Sequence, residues 1–570
     1  MPLFAALPPE QLERLAQSCS TRHLQAGEWL FHQGDPADSL YVVTAGSVDV
    51  VGEGPTATVV GTVGRGQCIG ELGLVTGEPR SLGARAHRDS DLARISRVDF
   101  DALLLAEPSF GAALTHVLGE RLRSIGVPTE AAMAPPRVIG LVPLHAGAPV
   151  ATVAEGLTAA FRDMGRVARL DGADPVTLET LDRLEAEHDR VLLVGAALEH
   201  DDPWTSYCLR QSDLVIGVAS RPRDLPAAPE AGRARGCDLA FVAPAGVEAD
   251  LHGWMEALEP RTTHILRAGG VTGVRRMARR LAGRALGVVL SGGGARGLAH
   301  IGVIEELQQA GYEIDRIGGA SIGGMVGSLF AEERSPDECM AVMEAEYVRT
   351  SPLKGRTIPL VGLSRGVRGF AAQHRVHGQR RIEGLGVNFF CVSADLATQR
   401  LVVHRRGLVA VAVSATQALP GFVPPVKDGD RILVDGAILN NLPVGPMIST
   451  GEGPVIAIDV AGALPPPRPP RSRVPRLRRW IVGPAAAWAP PIHETLLRSI
   501  LLGNVTTDAA ARARADAVIR PNLRGVSTMR FRDLESVRHR GREAARRALE
   551  EGRLDACLAR TDRSPRRLPG

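Results

Sequence analysis

The sequence predicts a multidomain chain: an N-terminal β-roll, a middle domain with a parallel α/β sheet, and a C-terminal α/β domain. Three observations carry that expectation. Short β-rich runs broken by glycine turns fill residues 1–125. Strand-like and amphipathic stretches alternate from 137 to 283. From 284, the apolar run ALGVVL (285–290) meets the loop SGGGARG, and LAHIGVIEELQQAG (298–311) follows with helical periodicity. The 570 residues exceed what one core supports, so several domains are expected.

In the first segment, GEWLFHQGDPADSLYVVTAGSVDVV (27–51) and ATVVGTVGRGQCIGELGLVTGEPRSLGARAH (57–87) supply the strands. FDALLLAEPSF and GAALTHVLGERLRSIG read as closing helices, and VPTEAAMAPPR (127–137) as a linker. In the second, RVIGLVPL, RVARLDG, DRVLLVGAAL, DLVIGVAS and DLAFVAP are strand-like, with segments such as ATVAEGLTAAFRDMG between them. Its first loop, LHAGAPV, has no phosphate-binding lysine, so this NTPase-like domain reads as degenerate and as a scaffold. The third domain spans 284–460. Residues 461–570 hold a proline- and arginine-rich stretch and two helical runs, ETLLRSILLGN and SVRHRGREAARRALEEGRL.

Composition narrows the function classes. A formal charge of +4 over this length does not point to wholesale nucleic-acid binding. Seven scattered cysteines form no C-x-x-C pair and no Cys/His cluster, so no metal is expected and a reducing compartment fits. The N-terminal MPLFAALPPEQLERLAQ is an acid-bearing amphipathic helix rather than a signal peptide. No run of eighteen uninterrupted apolar residues occurs, so any membrane contact is expected to be peripheral, with the chain in the cytoplasm.

A glycine loop between strand and helix ordinarily serves an anion, because the N–H groups of a helix start point at it. Gly292, Gly294 and Gly297 satisfy G-x-G-x-x-G, but no acidic residue ends the next strand as a dinucleotide site requires. Arg296-Gly297-Leu298 lacks the Gly-Lys-Ser/Thr of a P-loop. An oxyanion hole remains, and it needs a nucleophile. Gly319-Ala320-Ser321-Ile322-Gly323 offers Ser321 on a tight strand-to-helix turn. A hydroxyl needs a base, and the late histidines, His493 and His539, lie in helical stretches. Asp435, ending the apolar run RILVD before Gly436, is the better candidate, provided partial desolvation tunes its carboxylate.

Together, Gly292-Gly293-Gly294-Ala295-Arg296-Gly297, Gly319-Ala320-Ser321-Ile322-Gly323 and Asp435-Gly436-Ala437 resemble the three signature motifs of patatin-like phospholipases. The match extends through SATQALPGFVPPV (414–426) and Asn441-Leu442-Pro443. That resemblance implies a Ser–Asp dyad without histidine: Ser321 the nucleophile, Asp435 the base, and Gly292, Gly293 and Gly294 the oxyanion donors. It also implies a loop or head-group role for Arg296, while His300 reads as a structural helix residue.

GQCIGELGLVTGEPRSLGARA (66–86) resembles the phosphate-binding cassette of cyclic nucleotide-binding domains. Arg80 pairs with a cyclic phosphate in that reading, Glu71 accepts from the ribose, and Gly70, Leu72 and Ser81 complete the cradle. Ile69 and Leu82 replace the phenylalanine and alanine usual beside these groups. Cyclic AMP or cyclic GMP is the implied effector, and no cofactor is implied for catalysis.

The order of these domains, with DDPWTSYCLRQSDLVIGVA in the middle one, resembles the neuropathy target esterase family, which implies hydrolysis of phospholipids or lysophospholipids. Three rivals stand beside that reading: a cyclic nucleotide-dependent transcription factor, a weakly catalytic scaffold responding to the nucleotide, and a general carboxylesterase. The first needs a helix-turn-helix after the β-roll, where this chain has the strand-like RVIGLVPL. Finally, RPPRSRVPRLRRW (468–480) places six arginines before Trp480, a candidate contact for the inner face of an anionic membrane against the plainer reading of a solvated linker.

Overall fold

The computed structural model describes residues 4, 7–54, 58–125, 135–172, 175–196, 202–222, 234–251, 253–349, 364, 366–461, 498, 502–528, 531 and 533–561. The chain forms two compact units: one built mainly from residues up to 278, the other mainly from 279 onward. The stretch 468–480 and His493 lie outside the described residues.

The first unit begins with a β-roll of two antiparallel four-stranded sheets. One runs in the order Ser20–Leu24, Ser90–Ser96, Ser39–Ala45, Cys68–Ile69. The other runs Trp29–Phe31, Gly83–Ala86, Ser47–Gly52, Thr58–Gly64. Val43, Val48, Ala84 and Leu92 fill the space between them. The helices Arg97–Ala106 and Pro108–Ile125 close the roll, and the Ser96 side chain caps the first by accepting from Asp99 N–H.

Within the same unit, five parallel strands of a six-stranded sheet lie in the order Val167–Leu170, Arg190–Val194, Val138–Pro143, Leu214–Ala219, Asp238–Ala243. These are the five strands the sequence predicts. The strand Val138–Pro143, buried at every position and so on both faces of the sheet, shows why they read as apolar runs rather than alternating ones. Arg88, almost fully buried, runs from the β-roll to Glu185 at 2.8 Å and to Asp213 at 3.7 Å in the α/β part.

The second unit is built on an eight-stranded sheet in the order Val426–Asp428, Arg431–Asp435, Asn388–Asp395, Arg316–Ala320, Gly287–Leu290, Val455–Ile458, Ala517–Ile519, with Arg400–His404 also paired to Asn388–Asp395. The Gly287, Arg316, Asn388, Val455 and Ala517 strands are mutually parallel, while the others run antiparallel to their neighbours. The helices Leu298–Gln309 and Ile322–Ala331 bury Ile301, Val303, Met325 and Leu329 in the core of this unit.

This unit reaches past position 460, where the sequence reading ends its third domain. Ala517–Ile519 adds the last parallel strand. The helix Leu534–Glu550 crosses Leu298–Gln309 at Gly302 and Gly541, where a Cβ would overlap backbone of the facing helix. Arg538 pairs with Glu305, and Arg542 and Arg546 with Glu306, along the same crossing.

Candidate active site

Register alone brings the two reactive side chains level. Ala320 pairs with Val392, and Ser393 of the same strand pairs with Asp435 on its other side. Ser321 and Asp435 therefore flank one strand end, about two strand spacings, roughly 10 Å, apart in backbone. Their side chains close that gap: Ser321 Oγ donates to Asp435 Oδ2 at 2.7 Å. Ser321 has φ +54 and ψ −126, a conformation that β-carbon-bearing residues rarely adopt. Its N–H donates to Thr416 Oγ1 at 2.9 Å, and that hydroxyl donates in turn to the Val392 carbonyl at 2.5 Å. Glycine is needed two residues before and two residues after Ser321, because a Cβ on Gly319 would overlap Gly323 and Leu290, and one on Gly323 would overlap Leu290.

Asp435 is buried, and its Oδ1 accepts the Ala437 N–H at 2.9 Å. Burial disfavours the carboxylate and lifts its pKa from 3.8 to about 7, against the smaller opposing effects of the Ala437 and Ser321 hydrogen bonds. A carboxylate so placed is matched to exchange a proton with a hydroxyl near neutrality.

The glycine loop lies alongside. Leu290 pairs with Gly319, so the residues after it run beside the serine turn. The three glycines expected as anion donors differ in what holds them. Gly292 N–H donates to the Asn441 carbonyl at 3.1 Å, whereas Gly293 and Gly294 N–H have no partner among the described residues. Gly292 thus departs from the expected donor role in this state, because its N–H is already taken. Arg296 is buried, and its guanidinium donates to the carbonyls of Val526 and Ala461. It braces the loop and faces away from solvent. His300 Nε2 donates to the Ser291 carbonyl at 2.9 Å from full burial, which holds the ring neutral with a pKa lowered to about 4. Gly297 lies against Ile322, Gly436 against Val392, and Ala437 carries the N–H that meets Asp435.

In the β-roll, Gly70 (φ +92) precedes the short helix Glu71–Thr76. Arg80 folds under this turn and donates to the carbonyls of Gly70 at 2.8 Å and Ser39 at 2.7 Å, with its guanidinium 4.2 Å from the Phe31 ring centroid. Its Nε is buried without a partner among the described residues. Burial lowers the guanidinium pKa. Glu71 is buried, Leu72 half-buried and Ser81 exposed, so the structure brings Gly70, Glu71 and Arg80 together and leaves Ser81 at the surface.

Comparison with known proteins places both sites in named domains. Residues 288–448 match the patatin-like phospholipase family, and residues 21–107 match the cyclic nucleotide-binding domain. An uncharacterized NTE family protein of Mycobacterium tuberculosis is 35% identical, covering 96% of this chain and 95% of its own length. This chain belongs to the neuropathy target esterase (NTE) family. It carries the family's lipid-hydrolase domain behind a cyclic nucleotide-binding one. The lysophospholipase nte1 of Neosartorya fischeri is 26% identical over 77% of this chain, which spans 35% of that larger protein. Among solved structures, the Thermus thermophilus catabolite activator protein is 30% identical over 22% of this chain and 60% of its own, with a TM-score of 0.21.

In this NTE-family chain, several residues around the site were not singled out from the sequence. Thr416 sits inside the SATQALP run, but nothing in its spacing names Ser321 N–H as its partner. Asn504 and Asp508, on the helix Val505–Arg514 and its cap, reach the Ala437 carbonyl and Asn441 Nδ2. No sequence motif marks them. Among the described residues of this unit, two serine side chains contact histidine: Ser393 with His404, and Ser328 with His377, whose Nδ1 meets Glu332. All of these side chains are buried, and neither serine sits on a strand-to-helix turn beside anion donors. His539 is exposed on the helix Leu534–Glu550 and pairs with Glu543. Among the described residues, no helix is long and apolar enough to cross a membrane, and no group of three His, Cys, Asp or Glu side chains is set to hold a metal ion.

Proposed function

We propose that the chain hydrolyses acyl esters of phospholipids or lysophospholipids through a Ser321–Asp435 dyad, under the influence of a cyclic nucleotide. The 2.7 Å hydrogen bond from Ser321 Oγ to a buried carboxylate, beside glycine N–H groups without a partner among the described residues, is the observation that carries this reading. Ser321 Oγ attacks the ester carbonyl as its proton passes to Asp435 Oδ2. Gly293 and Gly294 N–H stabilise the oxyanion, with Gly292 fixing the loop rather than donating. Collapse expels the alcohol, which takes the proton from Asp435, and leaves acyl-Ser321. Water, deprotonated by Asp435, then releases the fatty acid and restores the serine.

The nucleotide reading rests on Arg80 and Glu71. The unpartnered Arg80 Nε is a donor suited to a cyclic phosphate, with Gly70, Leu72 and Ser81 lining the cradle. The arginine-rich 468–480 stretch is proposed to draw the enzyme to an anionic leaflet from the cytoplasmic side.

Mass-spectrometric product analysis with phosphatidylcholine, lysophosphatidylcholine and a short-chain ester, each with and without cyclic AMP and cyclic GMP, tests this reading. Fatty-acid release that disappears in Ser321→Ala and changes with one nucleotide supports it. Release from the short-chain ester alone would leave a general carboxylesterase. Absence of any nucleotide effect, with no binding by calorimetry, would reduce the β-roll to a scaffold.

A further inference from the structure

Asp508 is the fourth residue of the helix Val505–Arg514, far along the chain from every motif that forms the site. It is nevertheless buried, with Oδ2 3.2 Å from Asn441 Nδ2. Asn441 is itself 1% exposed and touches the glycine loop twice. Its backbone carbonyl accepts the Gly292 N–H, and its Oδ1 lies 2.5 Å from the place a Gly292 Cβ would take. Ser321 Cβ lies 3.2 Å from the same place. One carboxamide therefore spaces the loop from the nucleophile.

A carboxamide has two faces that differ only in O and N, and packing alone distinguishes them poorly. A negative charge on the Nδ2 side removes the ambiguity, since flipping the amide would set Oδ1 against a carboxylate. The second oxygen of Asp508, Oδ1, is buried without a partner among the described residues. Burial and the nearby Asp459 push the Asp508 pKa up to about 6. An acidic side chain in the first turn suits the helix dipole, but burying it with one oxygen unpartnered among the described residues costs more than that gain, which points to a role outside the helix.

We propose that Asp508 is a positioning residue for the hydrolysis: it fixes the Asn441 carboxamide and, through it, the Gly292 end of the glycine loop against Ser321. This inference rests on the dyad reading above. The helix Val505–Arg514 then supports the catalytic loop, and the oxyanion donors at Gly293 and Gly294 are aimed from residue 508.

The test is steady-state kinetics on the full chain, paired with the rate of Ser321 labelling by a fluorophosphonate. Asp508→Ala lowers kcat by about 10- to 100-fold with KM within about twofold, and labelling slows in parallel. Asp508→Asn, which still presents a carbonyl to Asn441 Nδ2, recovers most of that loss. Because Asp508 acts through Asn441, the double variant with Asn441→Ala loses no more than Asn441→Ala alone. Additive losses, or wild-type kcat in folded Asp508→Ala, would overturn the proposal. Should Asp508→Ala fail to fold, wild-type kcat in Asn441→Ala does the same. Full activity in Ser321→Ala is a different outcome: it removes the dyad reading itself.

Discussion

Ser321 and Asp435 meet across the end of the strand Asn388–Asp395, the first from a parallel neighbour and the second from an antiparallel one. An antiparallel strand delivers its C-terminal residue inward along the sheet, so Asp435 is buried where a loop residue at the sheet's edge would be solvated. That burial lifts its pKa to about 7. Only the ionised form can take the serine proton. Esterase kcat/KM should therefore rise with pH along a limb of apparent pKa near 7 and flatten above it. A pH–rate profile on a soluble ester, whose own ionisation does not intrude, checks this. A limb near 4 would mean that Asp435 is solvated during turnover.

The same shift has a stability consequence of opposite sign. The folded chain holds the Asp435 proton more tightly than the unfolded chain, whose carboxyl titrates near its ordinary 3.8. The stabilisation is complete below that value and is lost as pH rises through about 7. Asp435→Asn carries no charge at any pH. It should be inactive and yet unfold at a higher temperature than wild type at pH 8, with the gap shrinking at pH 5. Calorimetry at the two pH values decides it; an equal gap at both would deny that burial sets the shift.

Much of this site can be read from sequence because it is local. The glycine loop, the turn at Ser321 and the Asp435-Gly436 step each declare themselves within six residues, since each depends on small neighbours and a strand end. Likewise, the five middle strands are apolar runs because both faces of their sheet are covered. What escaped is held together by distance in sequence. The Ala517–Ile519 strand joins a sheet begun more than 200 residues earlier, and no periodicity in the helix Val505–Arg514 marks which face brings Asp508 to Asn441. For the same reason, only the fold shows that the Asn441 carbonyl holds the Gly292 N–H that the sequence casts as an oxyanion donor.

Thr416 accepts the Ser321 backbone N–H, and its hydroxyl is satisfied on both sides. Thr416→Val keeps the shape and removes both hydrogen bonds, leaving a buried N–H and the Val392 carbonyl short of partners. The loss should be about 1–3 kcal/mol of stability. Because Ser321 already holds a strained backbone, relaxation of the turn should also cut kcat by about tenfold or more. Thermal unfolding and esterase kinetics on one preparation separate the two. Normal kcat in a destabilised protein would make Thr416 a packing residue only.

Arg88 ties the β-roll to the α/β part of the first unit by pairing with Glu185 and Asp213 under near-complete burial. Removing one partner of a buried ion pair leaves the other charge uncompensated, at about 3–5 kcal/mol. Arg88→Ala should lower the unfolding temperature of the unit that contains it and leave hydrolysis of a soluble ester unchanged at 20–25 °C, roughly standard assay conditions. Replacing all three charges with apolar residues of similar size should restore most of the stability. If Arg88→Ala melts like wild type, water or a rearranged partner must be compensating the carboxylates.

Gly294 separates two costs that usually travel together. Its φ is +58, in the left-handed region, and a Cβ there would also overlap the Thr528 carbonyl oxygen, which accepts the Ala295 N–H at 2.8 Å. Gly311 shares the left-handed conformation, at φ +88, but a Cβ on it meets nothing within 4 Å. Gly311→Ala should therefore cost only backbone strain, about 1 kcal/mol, with kcat intact. Gly294→Ala adds a clash with backbone, the Thr528 carbonyl that the Ala295 N–H ties to this same loop. The loop must shift by a sizeable fraction of an ångström, carrying the Gly293 and Gly294 N–H groups off the oxyanion. Loss of one such donor costs about 10²–10³ in kcat. Parallel kinetics and melting of the two variants check the argument. Comparable kcat in both would show that the loop adapts and that the oxyanion is held elsewhere.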